Sequence, residues 1–272
     1  MSTYPTPRLG LPVETVTRPA LALVPIPETR TLGRAVRALV CLPTYNEREN
    51  IERMLRALGD ALGPDDLVLV IDDNSPDGTG ELADRLAREL PFVDVLHRER
   101  KEGLGRAYLA GFRIALERGA ELVLEMDCDF SHDPRDVPRL IAAAAEADLV
   151  LGSRYVRGGG VRNWGLVRRL ISRGASLYTQ LLLMPVKDAT GGFKCFRREV
   201  LEALDLDAIG SRGYMFQIET TFRARRLGFR VREIPITFAD REVGGSKMSR
   251  AIVLEAVWKV PALRLAALRG RV

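Results

Sequence analysis

The chain has 272 residues, 46% of them hydrophobic and 28% charged, which is enough apolar material for a substantial core and excludes a disordered polyelectrolyte. Its net charge of +5 and pI near 9.3 point to an anionic partner. No apolar run approaches the roughly 18 charge-free residues needed to cross a bilayer.

Residues 1–36 are proline-rich and aperiodic, and are expected to form an extended or disordered tail with no secretory signal. From Arg37 the pattern changes. "RALVCLPTYN" predicts a strand ending in a turn, and "IERMLRALGDAL" a helix with Ile51, Met54, Leu55 and Leu58 on one face. "DDLVLVIDDNS" and "TGELADRLAREL" repeat that pair, as do "PFVDVLHR" with "LGRAYLAGFRIALERG". "AELVLEMDCD", the helix "PRDVPRLIAAAAEA" and the strand "ADLVLGSRY" complete the first half. Apolar strands alternating with amphipathic helices predict an α/β fold whose mostly parallel sheet is covered on both faces.

The second half is less regular. A turn, "RGGGVRNWG", leads to the basic helical segment "LVRRLISRGASLYTQLLL" and to "DATGGFKCFRREVLEAL". The helix "YMFQIETTFRARRLG", the strand "FRVREIPITFA" and the loop "DREVGGSKMS" follow. A C-terminal amphipathic segment over 251–272 ends the chain.

Ligands of parallel sheets bind at the carboxyl ends of the strands. There the sequence places Pro43, Tyr45 and Glu47, then Asp72 and Asp73, then Asp127 and Asp129. Unpaired carboxylates avoid the interior, so an acidic pair closing an apolar strand anticipates a cation. Mg²⁺ favours a few carboxylates plus substrate phosphate oxygens, which suits "DCD". Asp77 is the better cap for the helix near Thr79, leaving Asp72 or Asp73 for a ligand. Cys128, like Cys41 and Cys195, reads as a reduced, packed thiol of a cytosolic protein. Neither the Rossmann glycine fingerprint nor the Walker loop is present, which argues against a dehydrogenase or P-loop NTPase. A basic RNA-binding module fits the pI. Three carboxylate clusters on one edge would repel a polyanion, so nucleic acid is not an expected partner.

The motifs "LPTYNERENI", "IDDNSPDGTGELAD", "EGLGRAYLAGF", "EMDCDFSHDP", "GSRY", "GGFKCFRR", "GYMFQIE" and "DREVGGSKMS" occur in the order seen in dolichol-phosphate mannose synthases. The sequence resembles that family from about Leu39 to Leu254, and within it the short form without transmembrane helices, including actinobacterial members. The resemblance implies a GT-A glycosyltransferase domain over 37–250. It further implies transfer of mannose from GDP-mannose to dolichyl or polyprenyl phosphate with inversion. Pro43, Tyr45, Glu47, Asp127 and Asp72 or Asp73 would bind the nucleotide, and Asp127 and Asp129 would hold Mg²⁺ or Mn²⁺. Arg154, Arg168 and Arg173 would grip the acceptor phosphate. Asp129, Arg154, Arg241 and Lys247 would form the catalytic set, the last two on a loop that closes over the diphosphate. The same fold using UDP-glucose remains the alternative.

A lipid monophosphate is mostly dianionic at pH 7, so this acceptor needs no general base. The basic, apolar ends of "VRRLISRGASLYTQLLLMPV" and of the C-terminal segment suit an interfacial helix or, equally, a packed one. Peripheral association with the cytoplasmic face of a membrane is expected, helped or not by a separate membrane-anchoring protein.

Overall fold

The computed structural model describes residues 36–211, 213–240 and 250–269, the last span with side chains from Trp258 onward. Strands β1 (Ala38–Thr44), β2 (Asp66–Asp72), β3 (Val93–His97), β4 (Leu122–Glu125) and β5 (Leu149–Ser153) are connected by α1 (Ile51–Ala61), α2 (Thr79–Glu89), α3 (Leu104–Glu117) and α4 (Val137–Ala143). The second half contributes β6 (Gly160–Val161), α5 (Leu166–Leu182), β7 (Lys194–Arg197), α6 (Arg198–Ala203), α7 (Gly213–Arg226), β8 (Val231–Pro235), β9 (Thr237–Phe238) and α8 (Arg250–Leu268).

Seven strands form one sheet in the order β3-β2-β1-β4-β7-β5-β8, while β6 and β9 pair separately. Every pairing in the large sheet is parallel except those of β7, which runs antiparallel to both β4 and β5.

Alternation along the strands divides the core in two. Leu39, Cys41, Leu69 and Ile71 meet residues of α3, α6 and α7, whereas Val40, Leu42, Val68 and Val70 meet α1, α2 and α4. Both faces are covered, which is why these strands are apolar throughout. Gly111 lets α3 approach closely: a methyl group there would lie 2.6 Å from Ile71 Cδ1 and 2.8 Å from Cys41 Sγ.

Several boundaries differ from expectation. Val36, assigned to the tail, is buried, and its carbonyl accepts from the Glu121 amide. The segment after Pro134 is a short 3-10 turn followed by α4, which stops at Ala143 instead of running to Ala147. Four-residue β7 was not anticipated as a strand. Residues 1–35 and 241–249 lie outside the described residues, as do Arg241 and Lys247 of the anticipated closing loop. Among the described residues no helix is long and apolar enough to cross a membrane.

Candidate active site

The strand ends open into a cavity of about 630 Å³ at the carboxyl edge of the sheet. Pro43 near the end of β1, Tyr45 and Glu47 after it, Asp73 after β2, and Asp127 and Asp129 after β4 all line it. Three turns that build this edge contain a non-glycine residue in the left-handed region: Asn46 (φ 58°), Asn74 (φ 57°) and Phe130 (φ 59°). Asn tolerates this conformation through its short polar side chain, but Phe does not, so the Asp127–Ser131 turn is held by its surroundings.

Those surroundings are specific. Ser131 donates its amide to Asp129 Oδ1 (3.0 Å), and Asp127 donates its amide to His132 Nδ1 (3.2 Å). The buried Tyr108 hydroxyl donates to Asp127 Oδ1 at 3.4 Å, and burial pushes its pKa well up, so it remains a donor. Asp129 is itself buried.

The two adjacent aspartates after β2 have different positions. Asp72 accepts from Thr44 Oγ1 (3.2 Å) and from the Ser75 amide and hydroxyl (3.1 and 2.5 Å), so it ties the β1 and β2 turns together and does not line the cavity. Asp73 does line it, paired with Arg98; burial raises the Asp73 carboxyl, and the guanidinium opposes that shift. The N-cap of α2 is Gly78, and Asp77, anticipated as the cap, stands one residue before it and accepts from the Thr79 amide at 3.0 Å. Lys101 lies 3.5 Å from the Tyr45 ring centroid on the same wall.

The cavity lining also includes basic and aromatic residues. Arg154 lines the cavity, but its fork is engaged by Asp188: Nε donates to Oδ2 at 2.7 Å and Nη2 to Oδ1 at 2.5 Å, and the Arg154 amide adds a third bond at 2.8 Å. Burial disfavours the Arg154 charge, yet the Asp188 carboxylate outweighs it and raises the guanidinium pKa. Arg168 lines the cavity 4.1 Å from the Trp164 ring centroid and donates through Nη1 to Asp240 (2.7 Å). The guanidinium of Arg173, by contrast, lies 6.0 Å from the Tyr155 ring centroid on an exposed residue that does not line the cavity. Glu219 pairs with Arg223 along α7 (2.8 Å) and stays away from the cavity.

Sequence reasoning therefore found the acidic edge and missed His132, which supports the Asp127 turn, and Trp164, Ser172 and Asp188. Only the approach of residues distant in sequence reveals Asp188, which holds Arg154.

Asp127 and Asp129 fit a hard divalent cation. Among the described residues no group of three or more His, Cys, Asp or Glu side chains gathers into a closed metal cage. Two carboxylates lining one cavity leave coordination positions to substrate oxygens and water, the arrangement typical of Mg²⁺ at phosphates.

Comparison with known proteins gives this geometry a family. The chain is 52% identical over 233 residues to an undecaprenyl-phosphate mannosyltransferase of Micrococcus luteus, covering 85% of this chain and 96% of that protein. It is 51% identical to a polyprenol monophosphomannose synthase of Mycolicibacterium smegmatis, covering 85% of this chain and 88% of the relative. Among solved structures, glucosyl-3-phosphoglycerate synthase of Mycobacterium tuberculosis with Mn²⁺, UDP-glucose and phosphoglyceric acid superposes with a TM-score of 0.59 at 22% identity, covering 88% of this chain and 80% of that one. The UDP complex of the same enzyme gives 0.61 at 20% identity, covering 86% and 81%. Residues 39–205 match the model for glycosyl transferase family 2, and the chain accordingly belongs to that family as a glycosyltransferase with a GT-A fold.

Proposed function

We propose that this enzyme transfers mannose from GDP-mannose to a polyprenyl or dolichyl phosphate with inversion, giving a polyprenyl β-mannosyl phosphate and GDP. The observation that carries this reading is one cavity lined both by the Asp127 and Asp129 carboxylates and by Arg154 and Arg168. That is a site for holding two phosphate-bearing substrates against each other. The names of the two relatives, each a mannose-transferring enzyme of polyprenyl lipids, support the choice of sugar and acceptor.

The nucleotide lies along Pro43, Tyr45, Glu47 and Asp73 in this reading, with its diphosphate directed toward Asp127 and Asp129. When bound there, Mg²⁺ or Mn²⁺ supplies charge neutralisation for the departing diphosphate. Arg154, fixed by Asp188, and Arg168, lying against Trp164, orient the acceptor phosphate, while Arg241 and Lys247, which follow β9 in the sequence, act on the donor diphosphate. The acceptor is dianionic at neutral pH and attacks the anomeric carbon directly, so no carboxylate here serves as an obligatory base.

The lipid side of the reaction has its own support. Helix α5 is amphipathic in the reverse sense: its buried residues are Ser172, Ser176 and Thr179, while Leu166, Val167, Leu170, Leu177 and Leu181 are 56–77% exposed. At 100° per residue those five fall within an arc of about 100°. Arg169 and Arg173 are exposed beside this apolar stripe, and α8 adds Trp258, Leu265 and Leu268 as exposed apolar residues. Such surfaces suit the boundary between lipid headgroups and acyl chains, on the cytoplasmic side where the nucleotide sugar is found.

The test combines purified protein, Mn²⁺, a polyprenyl phosphate and either radiolabelled GDP-mannose or UDP-glucose. Label from GDP-mannose should enter the organic phase. Label from UDP-glucose alone would replace mannose by glucose in this reading, and label from neither would end it. Flotation with anionic vesicles tests the membrane surface: Leu170→Gln combined with Leu177→Gln should reduce recovery in the floating fraction.

A further inference from the structure

His132 is 1% exposed yet lines the cavity, and its ring is held on two sides. Phe193 stacks on it at 4.7 Å between centroids, and Phe238 meets it edge-on at 5.3 Å. Its Nδ1 accepts the Asp127 amide, which requires that nitrogen to be unprotonated, so the ring proton of the neutral imidazole sits on Nε2. No described residue pairs with Nε2, leaving a fixed, uncharged N–H donor in a cavity shared with Asp129 and Arg154.

We propose that Nε2–H of His132 donates a hydrogen bond to a substrate phosphate oxygen in this cavity. The assignment rests on the functional reading above and adds a residue to it. A donor-only nitrogen matches an acceptor-only oxygen, whereas sugar hydroxyls also find acceptors in the neighbouring carboxylates. Arg154 gives three N–H donors to Asp188 and a fourth, through Nη2, to Thr190, so much of its capacity is committed before any ligand arrives. Two phosphate-bearing substrates would bring more oxygens than the remaining donors can serve. A preorganised neutral donor stabilises developing charge on such an oxygen without adding to the net charge of the site.

Two amide variants separate this role from a purely structural one. In His132→Asn the amide oxygen can take over from Nδ1 as acceptor of the Asp127 N–H, but nothing reaches the Nε2 position. In His132→Gln the amide nitrogen reaches the Nε2 position, and the Nδ1 acceptor is lost. The proposal expects His132→Asn to lose roughly 10²-fold in kcat/KM, and His132→Gln to recover to within about tenfold of wild type, with both folded by circular dichroism. His132→Asn equal to or better than His132→Gln would overturn it, because support of the Asp127 turn would then be the whole function of the ring.

Calorimetric titration with GDP and Mn²⁺ identifies the oxygen. Weaker GDP binding in His132→Asn than in His132→Gln assigns it to the donor diphosphate. Equal GDP binding with a raised KM for a short polyprenyl phosphate in His132→Asn assigns it to the acceptor. If the wild type turned over no nucleotide sugar, the functional reading would fail, while the GDP affinities of the two variants would still rank the assignment.

Discussion

Asp188 engages Arg154 through both carboxylate oxygens, and neither partner is more than 7% exposed. Removing one member of such a pair leaves a buried charge without its counterpart, at a cost of about 3–5 kcal/mol. Asp188→Ala is accordingly expected to lower unfolding free energy by about 3 kcal/mol in urea titrations, and to impair catalysis because Arg154 loses its orientation. His132 gives a pH signature. Its folded pKa, about 4, lies below the ordinary 6.5, so the unfolded chain binds the proton more readily and folding loses stability as pH falls from 6.5 to 4. Between pH 7 and pH 4 the wild type should lose about 3 kcal/mol more than His132→Phe in the same titrations. The acidic residues were legible because polar groups interrupt apolar strands at a predictable edge. Asp188 was not: it sits in an irregular stretch, and what marks it is an arginine 34 residues earlier.

The elements of the first half were legible for a physical reason. Strands β1, β2, β4 and β5 are buried on both faces, and each helix carries one apolar face, so periodicity separates them cleanly. Strand β7 escaped because "KCFR" is short and begins with Lys194, a lysine buried in the sheet opposite Glu125. Helix α5 was recognised as a helix, but its orientation was not, since composition says nothing about which face turns inward. Helix α3 offers a test of packing against propensity. Alanine is favoured over glycine in a helix by about 1 kcal/mol, yet the Gly111 methyl would press on Ile71 and Cys41 in a filled core. Overpacking of this kind costs about 1–3 kcal/mol, so Gly111→Ala should be net destabilising, seen as a lower urea midpoint with an unchanged slope.

At the scale of the whole molecule, the fold brings into one cavity the residues at the carboxyl ends of β1, β2, β4 and β5 and the basic and aromatic residues Trp164, Arg168 and Phe238 of the less regular half. The first set is written locally at strand ends. The second is assembled by tertiary contact, which is why family resemblance carried more of it than residue pattern did. The modest excess of +5 accords with the proposed contact with anionic headgroups. The left-handed turn at Phe130 has a thermal consequence. A backbone bent against its own preference keeps its shape only while the neighbours that press on it stay in place. On warming, this corner should relax before the seven-stranded scaffold melts. Turnover should therefore fade, reversibly, several degrees below the midpoint recorded by far-ultraviolet circular dichroism, and coincidence of the two curves would show that the corner and the scaffold yield together.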